Sequence, residues 1–334
     1  MRPIADLVDG ITQGQRGQIA QALTLVESSR PDHRERAREL LHALAGSGDA
    51  IRVGITGVPG AGKSTTINTL GMKLIERGHR VAVLAVDPTS SRTGGSILGD
   101  RTRMPELANH DNAFVRPSPA GQELGGVARA TREAMLIMEA AGFDVIIVET
   151  VGVGQSEVAV AGMVDTFVML AVAGTGDQLQ GIKRGILEMA DLIVVNKADG
   201  DNEPRARVAA RDLAIAMKLI STDKDRRRAP VLTASAQSGA GHDEMWEAVL
   251  EHRAWLDEHG GLAAHRLSQQ REWLHTLVRT QLIESLADPQ LRDVVRRVEN
   301  NLDGEVTSAL EGSAEILRNY AAAVPGFSWA RATD

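Results

Sequence analysis

The spacing of apolar residues divides the chain into three parts. Residues 1–49 place apolar positions at roughly helical spacing, first in LVDGITQGQRGQIAQALTLVE and then in HRERARELLHALAG, which ends on a glycine. From residue 51 onward, short and nearly continuous apolar runs alternate with helical stretches. After residue 259 the apolar runs stop and only amphipathic helical patterns remain. The pattern therefore predicts a helical N-terminal extension at 1–49, a core at 50–258 and a C-terminal helical arm at 259–334.

The apolar runs of the core predict its fold class. They are IRVGITG, VAVLAVD, AFVRPS, FDVIIVET, DTFVMLAV, DLIVVNKAD and APVLTAS. Runs with so little alternation are typical of strands that are buried on both faces, as in a parallel sheet covered by helices. We therefore expect an α/β fold with a mostly parallel central sheet flanked by helices, plus N- and C-terminal helical extensions.

The first of these runs leads into GVPGAGKST, which fits the phosphate-loop pattern G-x-x-x-x-G-K-[ST] between a strand and a helix. Glycines let successive backbone N–H groups converge on an anion, and the helix N-terminus adds partial positive charge. Lys63 can reach the β- and γ-phosphates, and Ser64 can ligate Mg²⁺. The predicted phosphate-binding residues are Gly57, Val58, Pro59, Gly60, Ala61, Gly62, Lys63, Ser64 and Thr65. The sequence thus predicts a P-loop NTPase.

Two later segments indicate which base is bound. Asn196, Lys197 and Asp199 form N-K-x-D at the end of a predicted strand, where a carboxylate can accept both the N1–H and the N2–H of guanine. A second segment, Ser235, Ala236 and Gln237, also follows a predicted strand, and a backbone N–H there can donate to guanine O6. Together with the phosphate loop, these segments predict GTP and GDP as ligands.

Carboxylates at strand ends are the candidate metal and switch residues. Asp87 and Glu149 end predicted parallel strands, whose carboxyl ends face the ligand crevice. Mg²⁺ prefers oxygen ligands and usually keeps several waters, so either residue can contact it directly or through water. The long segment PTSSRTGGSILGDRTRM contains Asp100, and ETVGVGQSE places Gly152 where its N–H can approach a γ-phosphate. The metal candidates from these positions are therefore Ser64, Asp87 and Glu149.

The composition argues against some classes of binding partner. The 334 residues carry a formal net charge of −7, and no basic face is evident, so neither nucleic acid nor an anionic membrane is an expected partner. The absence of cysteine excludes disulfides and thiolate metal sites and fits a reducing cytoplasm, the expected location. No apolar run reaches membrane-spanning length, and the first residues lack the apolar core of a signal peptide.

Four segments together resemble one family. VDPTSSRTGGSILGDRTRM, VETVGVGQSE, GDQLQGIKRGI and VVNKADG are similar to those of the metallochaperone-type P-loop GTPases associated with methylmalonyl-CoA mutase, the bacterial relatives of the methylmalonic aciduria type A protein. The resemblance runs from about residue 30 to the C-terminus. It implies a homodimeric GTPase that binds an adenosylcobalamin-dependent mutase, gates its cofactor loading and protects it from inactivation.

The resemblance also assigns roles to residues. It implies that Asp100 joins Ser64, Asp87 and Glu149 in the predicted metal set. It also implies that the loop holding Asp177, Gln178 and Lys183 is a third switch, which relays the nucleotide state to the mutase. With Lys63, Glu149 and Gly152, Lys183 completes the predicted catalytic set. Hydrolysis by the chain alone is expected to be slow, because ETVG lacks the residue order that positions water in Ras-like enzymes. On the predicted arm, one apolar helix face must be buried either on the core or on a second copy of the chain; its residues are Leu274, Leu277, Val278, Leu282 and Ile283. The resemblance implies the second of these, a two-fold dimer.

Alternative functions stay open at this point. A metal-insertion GTPase of the same superfamily would usually show cysteines or dense histidine clusters, whereas the nine histidines here are scattered. A transport-system kinase or ATPase that regulates amino-acid uptake is a second alternative, since relatives have carried such a label. The N-K-x-D motif and the lack of a kinase catalytic loop disfavour it. A signal-recognition GTPase would need an RNA-facing surface, which the acidic balance disfavours.

Overall fold

The computed structural model describes residues 3–86, 103–117, 124–150, 156–173, 184–220, 227–286, 288–303 and 308–324. Within these residues the chain forms a seven-stranded sheet in the order β3-β2-β4-β1-β5-β6-β7. Every pair of neighbouring strands is parallel. The predicted α/β class, with a parallel sheet between helices and with helical extensions, is confirmed.

Each predicted apolar run forms a strand. The strands are β1 (Ile51–Gly57), β2 (Val81–Val86), β3 (Ala113–Arg116), β4 (Val145–Thr150), β5 (Thr166–Val172), β6 (Leu192–Asn196) and β7 (Val231–Thr233). Strands β2, β4 and β6 are buried along their whole length, because helices cover both faces of the sheet. The sheet brings the ends of β1, β4 and β6 to one edge, where the phosphate loop and N-K-x-D begin.

Helices connect and cover these strands. In chain order they are α1 (Ile4–Thr12), α2 (Arg16–Glu27), α3 (Pro31–Ala43), α4 (Lys63–Glu76), α5 (Pro105–Asn109), α6 (Leu124–Ala140), α7 (Ser156–Ala161), α8 (Arg184–Met189), α9 (Glu203–Ile220), α10 (His242–Glu258), α11 (Leu262–Ser285), α12 (Pro289–Asp303) and α13 (Ala309–Ala323). A short 3₁₀ turn, Gly200–Asn202, precedes α9. Side chains of α4 and α10 share one core cluster with the sheet, whereas α1, α2, α3 and α6 contribute to another.

The N-terminal extension packs on the core through its own apolar residues. Ile11, Ile19 and Leu23 are fully buried and belong to the cluster that includes α6. Gly14, with φ 70°, interrupts the predicted helical pattern between α1 and α2, since it adopts a left-handed conformation that glycine tolerates best. Arg34 adds a bidentate ion pair with Glu133 of α6, at 3.0 Å for both contacts. The extension is therefore an integral layer of the core.

The first turns of α11 are held by a cluster of charges. The Arg266 guanidinium donates to both carboxylate oxygens of Asp165, at 2.8 and 2.7 Å, and to Asp49 at 2.6 Å. Burial disfavours the charged guanidinium, but the hydrogen bond to Asp165 and the negative charges of Asp165, Asp49 and Glu139 together outweigh it and raise the pKa of Arg266. Asp165 is 1% exposed, so this pair is shielded from water. These bonds fasten the beginning of α11 to the strand β5 region.

The chain separates into two compact units, residues 1–266 and 267–334. The second unit contains the rest of α11 together with α12 and α13, which pack against each other. Ser308 and Glu311 form a capping box at the start of α13, and Arg297 pairs with Glu315 at 2.7 Å. The predicted arm boundary at residue 259 stays a prediction. In the described part of the chain, no helix is both long enough and apolar enough to cross a membrane.

Candidate nucleotide-binding site

The phosphate loop has the backbone that its glycines predict. Gly57 ends β1 with φ 151°, and a Cβ there would lie 2.5 Å from the Leu170 carbonyl oxygen of β5. Gly62, with φ 87°, caps the N-terminus of α4, and a Cβ there would lie 2.6 Å from Asn196 Nδ2. Both glycines therefore permit close approaches that any side chain would block. Helix α4 begins directly at Lys63, so its N-terminus opens at the loop.

Lys63 lies inside this loop. Its Nζ donates to the carbonyl of Gly57 at 2.8 Å and to that of Val58 at 3.4 Å, and the residue is 8% exposed. Burial lowers the pKa of Lys63, while the nearby carboxylates of Glu149 and Glu157 oppose that shift. A buried cation whose acceptors are backbone carbonyls gains a stronger partner when a phosphate arrives.

Ser64 and Glu149 meet in the first turn of α4. Ser64 Oγ donates to Glu149 Oε1 at 2.9 Å, and Glu149 is 7% exposed near the end of β4. A hydroxyl and a buried carboxylate are oxygen ligands of the kind that Mg²⁺ prefers, so these two residues fit the predicted metal site. No group of three or more His, Asp or Glu side chains within the described ranges could hold a metal by itself.

Asn196 joins the phosphate loop to the base-binding loop. Its Nδ2 donates to the Ala61 carbonyl at 2.8 Å and to Thr66 Oγ1 at 3.1 Å. Its Oδ1 accepts from the Ala236 N–H at 3.2 Å, and the residue is 1% exposed. The amide thus satisfies both of its ends and fixes the distance between the two loops. Asn196 therefore braces the two loops against each other.

Asp199 lies beside Ser235, which donates from Oγ to Asp199 Oδ2. That hydrogen bond orients the carboxylate. Lys197 has φ 61°, the one non-glycine residue with positive φ in the described ranges. Asn202 Nδ2 donates to the Lys197 carbonyl at 2.7 Å and helps to hold this strained turn. The structure therefore brings the two predicted base-binding segments together.

Some predicted residues lie outside the described residues. They are Asp87, Asp100, Gly152, Asp177, Gln178 and Lys183. The described part of β2 ends at Val86, the residue before Asp87. Val86 pairs with Thr150 of β4, the residue after Glu149, so these two strand ends are neighbours in the sheet. The roles of these six residues stay predictions.

Three residues at the site carry no sequence motif. Thr66 binds Asn196, Thr69 Oγ1 donates to the Ala236 carbonyl at 2.8 Å, and Glu157 is a 3% exposed carboxylate close enough to favour the charged form of Lys63. For Thr69, the sequence offers only its position one helical turn after Thr65 on α4. It becomes meaningful only when the fold places the 235–240 loop against that turn.

A formed phosphate loop at a parallel-sheet edge, next to N-K-x-D and its serine partner, defines the class of P-loop GTPases. A family model identifies the group within that class. It matches residues 19–290 and is described as the methylmalonyl Co-A mutase-associated GTPase MeaB. The chain belongs to this family of GTPases, which confirms the resemblance seen in the sequence.

Individual relatives agree with the family. A probable GTPase of Mycobacterium tuberculosis is 58% identical over 91% of this chain and 93% of the relative. The mitochondrial methylmalonic aciduria type A homolog of Mus musculus is 45% identical over 89% of this chain and 74% of the relative. A crystal structure described as a LAO/AO transport system kinase has a TM-score of 0.74 and 38% identity, covering 95% of this chain and 97% of that one.

Proposed function

We propose that this chain is a GTP-hydrolysing chaperone of an adenosylcobalamin-dependent methylmalonyl-CoA mutase, which gates cofactor loading and protects the mutase from inactivation. The observation that carries the proposal is the match to the mutase-associated GTPase family over residues 19–290, on a chain whose phosphate loop and base loop are joined through Asn196. The relationship to a methylmalonic aciduria type A homolog supports the same partner.

The phosphate end of the site would bind the triphosphate and orient it for attack by water. Backbone N–H groups of the phosphate loop would converge on the β-phosphate, and Lys63 would exchange its carbonyl acceptors for β- and γ-phosphate oxygens. In hydrolysis water attacks the γ-phosphorus, the bond to the bridging oxygen breaks, and GDP and phosphate leave. Gly152 and Lys183 complete this proposal as the γ-phosphate contact and the relay residue.

Ser64 and Glu149 would hold Mg²⁺ at the phosphates, with Asp87 and Asp100 as further candidates. The ion supplies positive charge where negative charge develops on the phosphate oxygens. In the described structure the Ser64 hydroxyl donates to Glu149, so its lone pairs remain available to a metal ligand position while Glu149 stays oriented. Both residues come from adjoining elements, the first turn of α4 and the end of β4.

The base end would select guanine. Asp199, oriented by Ser235, accepts the N1–H and N2–H of guanine, and the loop from Ser235 to Gln237 offers a backbone donor to O6. Adenine presents no such pair of donors. Lys197, whose backbone is held in a left-handed conformation, would pack along the ring.

Association with the mutase can be tested directly by size-exclusion chromatography. The chain is mixed with an adenosylcobalamin-dependent methylmalonyl-CoA mutase in the presence of GDP or a non-hydrolysable GTP analogue. We expect a complex whose affinity differs between the two nucleotides, because a relay must distinguish them. Absence of a complex under both conditions would refute the mutase partnership while leaving the nucleotide site untouched.

The transport-system kinase alternative has one observation in its favour, the description of the 38% identical structure. It predicts transfer of the γ-phosphate to a binding protein rather than to water. Incubation with γ-labelled GTP or ATP and a periplasmic amino-acid-binding protein would decide the question. Label on the binding protein would support the kinase, whereas free phosphate alone supports the chaperone.

A further inference from the structure

The loop that follows β7 uses nearly all of its backbone donors internally. The N–H groups of Ser235 and Gly239 donate to carbonyls of this same loop, both at 2.9 Å. Those of Ser238 and Ala240 donate to serine hydroxyls at 3.1 and 3.4 Å. With the Ala236 N–H on Asn196 at 3.2 Å, only the Gln237 N–H in residues 235–240 has no acceptor within the described ranges.

The direction of that remaining donor is fixed by its own peptide unit. The Gln237 N–H belongs to the same peptide plane as the Ala236 carbonyl, and no peptide bond in the described ranges is cis. In a trans peptide the N–H and C=O point in opposite directions. Thr69 Oγ1 donates to the Ala236 carbonyl at 2.8 Å from α4. By holding the carbonyl toward α4, Thr69 turns the Gln237 N–H away from that helix.

The same face of α4 is fastened to the next element as well. Lys73 and Arg77, one and two turns after Thr69, both bind the Asp243 carboxylate in the first turn of α10, each at 2.6 Å. Hydrogen bonding to Lys73 is the largest cause that lowers the pKa of Asp243. Thr69, Lys73 and Arg77 therefore fix both ends of the segment that runs from Ser235 to Asp243. The helix that carries them, α4, starts in the phosphate loop.

We propose that Thr69 is a positioning residue for base recognition, which holds the Ala236 carbonyl so that the Gln237 N–H faces the 6-carbonyl of a bound guanine. The inference rests on the proposed GTP site, because it needs guanine in the pocket beside Asp199. Ser235 of the same loop orients Asp199, so one short segment would serve both the 6-carbonyl and the N1–H/N2–H edge of the base. Thr69 thereby couples the helix of the phosphate loop to purine selection.

The test compares dissociation constants for GDP and for 6-thio-GDP in the full-length chain and in Thr69→Val. The thio analogue keeps the N1–H and N2–H donors but replaces O6 by sulfur, a weak acceptor. We expect Thr69→Val to weaken GDP by about two- to tenfold, as for one ordinary hydrogen bond. The thio analogue should lose less than about twofold, because it gains little from the Gln237 N–H. The preference for GDP over 6-thio-GDP should therefore shrink.

Thr69→Ser keeps the hydroxyl and should restore the preference. Thr131→Val is the matched control, since it removes a buried threonine bond, at 2.8 Å to the Val127 carbonyl on α6, away from the base loop. Thermal melting of each apo variant reports folding, and Thr69→Ala repeats the test should valine prevent folding. Equal losses for both nucleotides would overturn the positioning role alone. Failure of the unaltered chain to bind GDP would overturn the proposed function and this inference together.

Discussion

The nucleotide site and the C-terminal unit differ in which side chains they bury and which they expose. At the nucleotide end, Lys63, Glu149 and Asn196 are nearly buried, and each has a defined partner. The C-terminal unit instead exposes large apolar side chains; among them are Leu274 (58%), Val278 (50%), Leu282 (42%), Ile283 (67%) and Leu317 (62%). These polar groups of the nucleotide site thus have partners within the chain, whereas these apolar side chains of the C-terminal unit are exposed.

The contrast indicates which kind of ligand or partner each region binds. The nucleotide site fixes Lys63, Glu149 and Asn196 by hydrogen bonds within the chain, and side chains fixed in this way reduce the ordering cost of binding. On α11, four of the five residues predicted to form the dimer face are exposed, and Leu277 is half-buried. A face of this kind marks an interaction surface. We propose that a second copy of the chain covers it, with the two copies related by a two-fold axis.

The largest effect is expected from Lys63→Ala. The substitution removes a buried cation from the phosphate loop, and charge-assisted hydrogen bonds contribute about 1.5–3 kcal/mol each. Affinity for GTP should fall by ~100-fold or more, whereas the melting temperature without nucleotide should change little. Isothermal titration with Mg²⁺ measures the affinity. Lys218→Ala, an exposed lysine on α9, is the control and should bind normally. Unchanged affinity in Lys63→Ala would show that the phosphates bind elsewhere.

Asp199→Asn should invert the choice of base. Asparagine replaces one acceptor by an N–H₂ donor, which faces the donors of guanine and costs about 2–3 kcal/mol for each unmet bond. The same donor finds an acceptor in the 2-carbonyl of xanthine. Competition between GTP and xanthosine triphosphate should therefore shift toward the xanthine nucleotide. Asp201→Asn, on the exposed 3₁₀ turn, should keep the original preference. An unaltered ratio in Asp199→Asn would remove Asp199 from base recognition.

The exposed face of α11 is tested by placing charge on it. Val278→Glu combined with Leu282→Glu should convert a dimer into a monomer in multi-angle light scattering at micromolar concentration. Each apolar side chain that leaves an interface forfeits about 1.5–3 kcal/mol. Val208→Glu places the same charge at an exposed apolar position on α9, 62% exposed, and should leave the dimer intact. A monomeric unaltered chain, with and without GDP, would refute the dimer.

The smallest effect concerns pH. Burial lowers the pKa of Lys63 in the free chain, and a bound phosphate would favour the charged form and raise that pKa. At low pH, where Lys63 is protonated in both states, its titration should not change the affinity for nucleotide. The affinity should fall as pH rises through the pKa of Lys63 in the free chain. Titrations of GDP between about pH 7 and about pH 10 measure the slope. Lys63→Arg, which stays charged, should flatten it. An identical slope in that variant would assign the pH dependence to other groups.

The sequence predicts the sheet well because its strands have an unusual pattern. Parallel strands buried on both faces appear as unbroken apolar runs, and VAVLAV and VIIVET became β2 and β4 within one or two residues of the predicted runs. The phosphate loop is equally readable, since Gly57 and Gly62 permit approaches that no other residue allows. Local pattern and global fold agree at these positions, so both were predictable.

Other features depend on contacts between distant parts of the chain. The Thr69–Ala236 bond joins residues 167 positions apart, and the Arg266–Asp165 pair joins residues 101 apart. Neither Thr69 nor Arg266 belongs to a sequence motif that would predict its partner. Glu157 likewise resembles an ordinary helix N-terminal acid until the fold buries it near Lys63. Such roles follow only from the three-dimensional arrangement.

The central claim, that this GTPase serves a mutase, is tested most directly by GTP turnover with and without an adenosylcobalamin-dependent methylmalonyl-CoA mutase. Phosphate release is followed at saturating GTP and Mg²⁺, with Lys63→Ala as the inactive control. The account predicts slow release by the chain alone and an increase of about tenfold or more with the mutase. Lys183→Ala should lower the stimulated rate far more than the basal rate. The same turnover with and without the mutase would contradict the claim.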